Sequence, residues 1–304
     1  MKRIAYFSPV NPVASGISDY SEELLPYLGQ YANVTLYVDD GVRPANPQLA
    51  RYLDVRPIGR FERDRRRRPF DAILYHIGNS MAHAAIWRIM QRTPGVLVLH
   101  DFVLHHFMLQ YMVTAQGKID TYRAEAARRY GDAGARVAEL MLRGRFTEAA
   151  FEMPFCEDVL AAAEGLISHS RYVAERAAAL RPELPRAVVP MGVPLPQPLD
   201  RGVARARRGL PPDALILASF GHINPYKRVG SMLRALAELR AEGRDARYLL
   251  VGSVSPQFDL RAAVERAGLG DYVTATGYVD RQAFEEYLAA ADICVNLRHP
   301  TAGE

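Results

Sequence analysis

At 304 residues, with 49% hydrophobic and 24% charged side chains, the chain has enough apolar content for two cores of ordinary domain size, which excludes a disordered or fibrous protein. A formal net charge of +4 is too small to imply nucleic acid by itself, although it suits an anionic small molecule or a bilayer surface. The two cysteines, Cys156 and Cys294, lie far apart with neither a disulfide framework nor a metal-ligand spacing, which points to a reducing compartment.

The N-terminal MKRIAYFSPVNP has a basic start, but Ser8 and Pro9 interrupt its apolar run before a secretory core is complete, so it reads as a first strand. Strands are predicted at 2–8, 34–39, 71–77, 95–100, 165–170 and 186–192, in alternation with helical patterns, as in a parallel α/β sheet. The run RFERDRRRR at 60–68 reads as a solvated loop, or, through Arg65, Arg66, Arg67 and Arg68, as a contact with an acceptor or an anionic membrane. The most apolar long stretch, 95–113, contains His100, Asp101, His105 and His106, a poor composition for a spanning helix, and the protein is expected to be cytoplasmic. Residues 101–163 carry no strand signal and read as a helical insertion.

The stretch 193–213, rich in Pro and Arg, reads as an interdomain linker. A second alternation follows, with strands predicted at 214–221, 247–253, 272–277 and 292–297 and helices near 228–242, 258–267 and 281–290. Only four strands precede the end of the chain, so the second unit is expected to be an incomplete version of a doubly wound sheet.

Three segments carry candidate chemistry. In ASGISDYSEELLPYL (14–28), Gly16 allows close backbone approach and Ser18 or Asp19 can cap a helix whose N-terminus would hold a phosphate; an ordinary strand-to-helix turn fits equally. GVLVLHD (95–101) puts His100 and Asp101 at a strand's carboxyl end, where open α/β sheets carry active groups. Asp101 as a helix cap, or a metal-dependent phosphohydrolase of HD type, are the other readings of that pair. FGHINPYKR (220–228) places Lys227 and Arg228 after a strand and Gly221, at the mouth of a helix. A compact ammonium and a forked guanidinium beside backbone donors suit a diphosphate.

Taken in order, ASGISDYSEELLP, VLHD, FGHINPYKR, YLLVG, TGYVD, AADICVNLR and PTAGE resemble the retaining nucleotide-sugar glycosyltransferases of family 4, over nearly the whole chain. The resemblance implies an α/β protein of the GT-B fold: two Rossmann-like domains facing across a cleft, the second incomplete. It divides the chain into an acceptor domain at 1–192 with the insertion 101–163, a linker at 193–213, and a truncated donor domain at 214–304. The implied reaction is sugar transfer from a nucleoside diphosphate sugar to an acceptor hydroxyl, with retention, in polysaccharide biosynthesis. The acceptor would be a glycan or lipid-linked saccharide. No metal, cofactor or nucleic acid is expected; membrane contact would be peripheral, at the inner face.

By the same resemblance, Gly16 and Ser18 lie near the donor diphosphate, His100 reaches the donor sugar, and Lys227 with Arg228 neutralises the leaving group. Gly221 and His222 belong to the diphosphate loop, while Gly277, Tyr278 and Val279 meet the nucleobase. Glu304 is the first carboxylate of the family's acidic motif. Two positions depart from the pattern: many relatives have Arg where this chain has His222, and Gly where it has Arg228. A non-catalytic fragment or pseudoenzyme acting as a binding module is the competing account, and a phosphorylase or epimerase on the same fold is a third.

Overall fold

The computed structural model describes residues 1–145, 148–193, 198–224, 227–256 and 258–297. These form two compact units, the boundary falling between residues 193 and 198. The first unit runs β1 (Lys2–Phe7), α1 (Gly16–Tyr31), β2 (Ala32–Val38), α2 (Leu49–Tyr52), β3 (Asp54–Pro57), α3 (Phe61–Arg67), β4 (Ala72–Ile77), α4 (Ala84–Met90) and β5 (Gly95–Leu99). It continues through α5 (His105–Leu109), α6 (Ile119–Leu142), α7 (Glu157–Ala161), β6 (Ala163–Ser168), α8 (Arg171–Leu180) and β7 (Arg186–Val188). All seven strands are parallel, in the order β3-β2-β1-β4-β5-β6-β7. The order reverses between β1 and β4, so the crevice beyond their carboxyl ends is where a doubly wound sheet offers a binding site.

Apolar residues on both faces of the central strands explain the two layers of helix. On one face Phe7, Tyr75, Leu97 and Leu99 pack with Trp87, Phe61 and Phe107; on the other Tyr6, Val34 and Leu36 pack with Leu25 and Leu49. Strand β3 escapes sequence reading because it is a short edge strand, DVRP, with neither alternation nor an apolar run. The expected loop at 60–68 is instead largely α3: Glu62 and Asp64 lie in its first turn and Arg65, Arg66 and Arg67 in its last, the charge order that suits the helix dipole. Buried Phe61 and Asp64 fix its inner face, Asp64 through Arg56 at 2.8 Å and the Tyr37 hydroxyl at 3.1 Å.

The second unit contains α9 (Arg201–Arg207), β8 (Leu215–Phe220), α10 (Val229–Ala241), β9 (Ala246–Val251), α11 (Leu260–Arg266), β10 (Val273–Gly277), α12 (Arg281–Ala290) and β11 (Ile293–Cys294). Its four strands are parallel in the order β10-β9-β8-β11, again reversing beside the unit's first strand. Helices α9, α11 and α12 start where Asp200, Asp259 and Asp280 accept the N–H groups of Val203, Ala262 and Ala283 at 2.8–3.0 Å.

Helix α9 lies within the stretch 193–213, whose sequence shows no helical signal. The Arg-rich composition that hides it serves a packed surface: Arg205, only 4% exposed, donates to the carbonyls of Ala290 and Pro212 and to Asp292 at 2.6 Å. Buried Glu286 on α12 accepts from Arg207 and Arg208. Charge pairing with satisfied donors thus replaces the apolar stripe that sequence periodicity looks for.

Candidate functional sites

In the first unit, the carboxyl ends of β1, β4 and β5 gather the N-terminus of α1 and a group of imidazoles. Helix α1 is fastened to β1 by a buried hydroxyl chain, Tyr6 to Ser21 at 3.0 Å and Ser21 to Ser8 at 2.7 Å. Its N-cap is Ser15, whose Oγ accepts from Ile17 N, so neither expected cap, Ser18 nor Asp19, performs that role. Ser18 is buried and donates to the Val13 carbonyl, and Asp19 accepts from the Asn11 side chain. The Ile17, Ser18 and Asp19 N–H groups are engaged by Ser15, so the expectation of a first turn of free donors narrows to its Gly16 end. A Cβ on Gly16 would meet no atom of the chain within 4 Å.

His100 follows β5, its backbone N–H held by the Ile77 carbonyl at 3.0 Å. Its half-buried ring lies edge-on to Tyr20 of α1 at 5.0 Å and beside His169 at 4.9 Å, so His100 and the start of α1 share one wall. His76 Nδ1 stands 2.9 Å from His100 Nε2. Burial, reinforced by the neighbouring imidazoles, pushes His100 down to about 3 and His76 well below its ordinary value, so both are neutral at pH 7. Asp101 does not cap α5; its carboxylate accepts from Asn79 N at 2.9 Å and thereby shapes the turn after β4. Gly78 in that turn is closely packed: a Cβ there would lie 2.4 Å from Ile17 Cδ1, 3.0 Å from the Asp101 carboxylate and 3.1 Å from His83 Nε2, so the Ile17 side chain would have to move. Among the described residues no three His, Cys, Asp or Glu side chains are placed to share a metal ion, so the ligand set of an HD-type phosphohydrolase is not assembled there.

In the second unit, three glycines with positive φ end three adjacent strands: Gly221 (84°) after β8, Gly252 (147°) after β9 and Gly277 (72°) closing β10. Gly252 is bridged to Gly277 and lies so close to Gly221 that only hydrogen fits between them. Beyond this edge stand the cationic residues. Lys227 Nζ donates to the Phe220 carbonyl, beside Gly221, and His222 Nδ1 is 2.9 Å from Ser253 Oγ. Arg228 is the N-cap of α10 with φ 50°, a left-handed conformation that favours glycine. Tyr278 is 85% exposed, whereas Val279 is partly buried against the core cluster of Ile216, Ala218, Leu249 and Val251.

Each unit thus brings its own candidates together: Gly16, Ser18 and His100 at the first edge, and Gly221, His222, Lys227, Arg228, Gly277, Tyr278 and Val279 at the second. Glu304 lies outside the described residues. Sequence reading passes over His76, His83, His169, Gly252 and Ser253. A signal existed for His76, a polar residue near the end of the apolar run AILYHI, and for Gly252 and Ser253, which end the strand YLLVGS in the same way that Gly221 and His222 end theirs.

Residues 212–302 match the family described as "Glycosyl transferases group 1". A "D-inositol 3-phosphate glycosyltransferase 2" from Catenulispora acidiphila is 35% identical over 108 residues, 33% of this chain and 25% of that protein, so the matched stretch spans about a quarter of this relative's length. The sucrose-phosphate synthase structure from Thermosynechococcus elongatus superimposes with a TM-score of 0.63 at 16% identity, over 97% of this chain and 75% of that one. Anabaena HepE in complex with UDP and glucose gives a TM-score of 0.58 at 16% identity, over 99% and 76%.

Proposed function

From the GT-B fold of the chain and the homology of residues 212–302 to group 1 glycosyl transferases, we propose that this protein transfers a sugar from a nucleoside diphosphate sugar to an acceptor hydroxyl, retaining the anomeric configuration. The observation that carries this reading is the second sheet's carboxyl edge. Three glycines there leave the backbone bare, and an ammonium, a guanidinium and an imidazole follow within a few residues of Gly221. Such an edge suits a ligand that needs close backbone approach and neutralisation of two phosphates.

In the reaction, the bond from the anomeric carbon to the diphosphate breaks through an oxocarbenium-like transition state, so charge builds on the leaving diphosphate. Lys227 and Arg228 stabilise that charge; at the first unit's own edge, the N-terminal end of α1 at Gly16 is an electropositive group suited to an anion. His100 contacts the donor sugar, and Ser18 supports the Gly16 turn through its bond to Val13. His222 and Gly221 line the diphosphate, and Gly277, Tyr278 and Val279 form the nucleobase loop, with Tyr278 presenting its exposed ring. Glu304 is assigned to the sugar side of the donor. The donor is a substrate, and no resident cofactor is proposed.

The acceptor is proposed to be a glycan or lipid-linked saccharide, selected by the loops of the first unit and the insertion at 101–163. Arg66, Arg67 and Arg68 are exposed at the end of α3, and with Arg65, which pairs with Glu62 at 3.0 Å, they suit a peripheral contact with anionic headgroups. No helix among the described residues is long and apolar enough to cross a membrane. The reaction is tested by NMR on donor and product during turnover. Retention of the donor's anomeric configuration is expected, and inversion would overturn the mechanism.

A further inference from the structure

A neutral imidazole has one N–H and one lone pair, and a backbone carbonyl only accepts. His83 Nδ1 lies 2.9 Å from the His76 carbonyl and His169 Nδ1 lies 2.9 Å from the Val189 carbonyl, so each carries its proton on Nδ1. On His83, whose ring burial keeps neutral, the Nε2 atom is buried and without a partner and is therefore a lone pair. His76 is different. Its Nε2 is also buried without a partner, but its Nδ1 faces another imidazole nitrogen, His100 Nε2, at 2.9 Å.

Two proton arrangements satisfy that contact. If His100 Nε2 held the proton, the neutral His76 would carry its own on Nε2 and bury an N–H with no acceptor. If His76 Nδ1 holds it, the orphan is only a lone pair, the condition already accepted at His83. Buried orphan N–H groups are rarer than under-used acceptors, so the second arrangement wins. The surroundings hold the His76 ring in place, since it is 1% exposed, lies against the Tyr6 ring at 4.3 Å, and has its backbone carbonyl fixed by His83.

We propose that His76 is a positioning residue that fixes the tautomer of His100: the His76 Nδ1–H donates to His100 Nε2, so His100 carries its proton on Nδ1 and meets its ligand as a hydrogen-bond donor. The consequence for catalysis rests on the reading of His100 as a donor-sugar contact. A ring fixed as donor recognises a lone pair on a sugar oxygen, whereas the opposite tautomer would accept a hydrogen bond from a sugar hydroxyl. The depressed titration of both rings keeps them neutral, so that tautomer rather than charge is the variable.

The test is a two-bond proton–nitrogen correlation spectrum of the protein labelled with 15N in its imidazoles, recorded without substrate. The wild type should show His100 protonated on Nδ1 and bare on Nε2. His76→Leu should shift His100 toward the Nε2–H form. His76→Asn, whose amide nitrogen stands near the position of Nδ1, should restore the wild-type pattern. In donor turnover, His76→Leu should lower kcat/KM about tenfold, the equivalent of one hydrogen bond, and His76→Asn should recover most of it. A proton on His100 Nε2 in the wild type, or an unchanged His100 tautomer in folded His76→Leu, would overturn the proposal. If no nucleoside diphosphate sugar is consumed by any form, it is the glycosyltransferase reading that fails, and the spectra still decide the tautomer.

Discussion

Replacing Gly252 by Ala tests how the second sheet's edge is built. The new methyl would lie 2.2 Å from Gly221 O, 2.7 Å from Gly221 C and 3.3 Å from Gly221 Cα. All three are backbone atoms, so no side-chain rotation relieves the clash, and the ends of β8 and β9 must part. The alanine would also have to adopt φ 147°, or abandon it and lose the bridge to Gly277. Backbone strain of about 1–3 kcal/mol and overpacking of about 1–3 kcal/mol add to roughly 2–6 kcal/mol. The assay follows from the single tryptophan, Trp87, which lies buried in α4 of the first unit and reports on that unit. In urea, far-ultraviolet circular dichroism should register earlier loss of structure in Gly252→Ala, while the Trp87 fluorescence transition stays in place. Superimposable dichroism curves for the two proteins would refute the packing argument. A shift confined to Trp87 would mean that the strain had been assigned to the wrong unit.

Further outcomes follow from other residues. Lys227→Ala should lower sugar transfer by about 10²–10³-fold, as measured in steady-state turnover, because the ammonium acts on charge that develops in the transition state. Arg228→Gly should raise stability by roughly 1 kcal/mol through relief of the left-handed backbone while weakening donor binding; calorimetry showing a gain in both would remove Arg228 from the diphosphate site. Arg205→Ala should destabilise the second unit by about 3–5 kcal/mol in denaturant titration, since the change leaves two carbonyls and part of the Asp292 pairing without their buried partner. His105, pushed down to about 4 by burial from the ordinary 6.5, is held neutral between the Met153 carbonyl and the Tyr122 hydroxyl. The unfolded chain binds a proton there that the fold excludes, so this contribution is complete above about pH 6.5 and is lost as pH falls toward 4. It amounts to roughly 3 kcal/mol, by which His105→Asn should flatten the wild-type stability profile over that range. Charge reversal of Arg66, Arg67 and Arg68 should abolish co-sedimentation with anionic vesicles; undiminished binding would exclude that surface.

The alternation of β-branched runs with helical patterns made both parallel sheets readable, because strands buried on two faces must be apolar throughout. Edge strand β3 and helix α9 fall outside that rule: β3 needs no apolar run, and α9 is held by Arg205, Arg207 and Arg208 through partners such as Asp292 and Glu286, far away in sequence. The same holds at the sites. Gly221, Lys227 and Arg228 announce themselves by position after a strand, but the role of Ser15 as cap depends on backbone angles, and Ser18 looks like a cap until its hydroxyl is seen on Val13. The contact of His76 with His100 joins residues 24 apart through the pairing of β4 with β5, which local spacing does not encode.

Binding of a nucleoside diphosphate sugar at the second sheet's edge can be measured directly. The direct measurement is calorimetric titration of the protein with a panel of such sugars, in parallel with Lys227→Ala. At least one member of the panel should bind, and its affinity should drop sharply in Lys227→Ala. Binding of none, or binding indifferent to the loss of Lys227, would contradict the reading of that edge as the donor site.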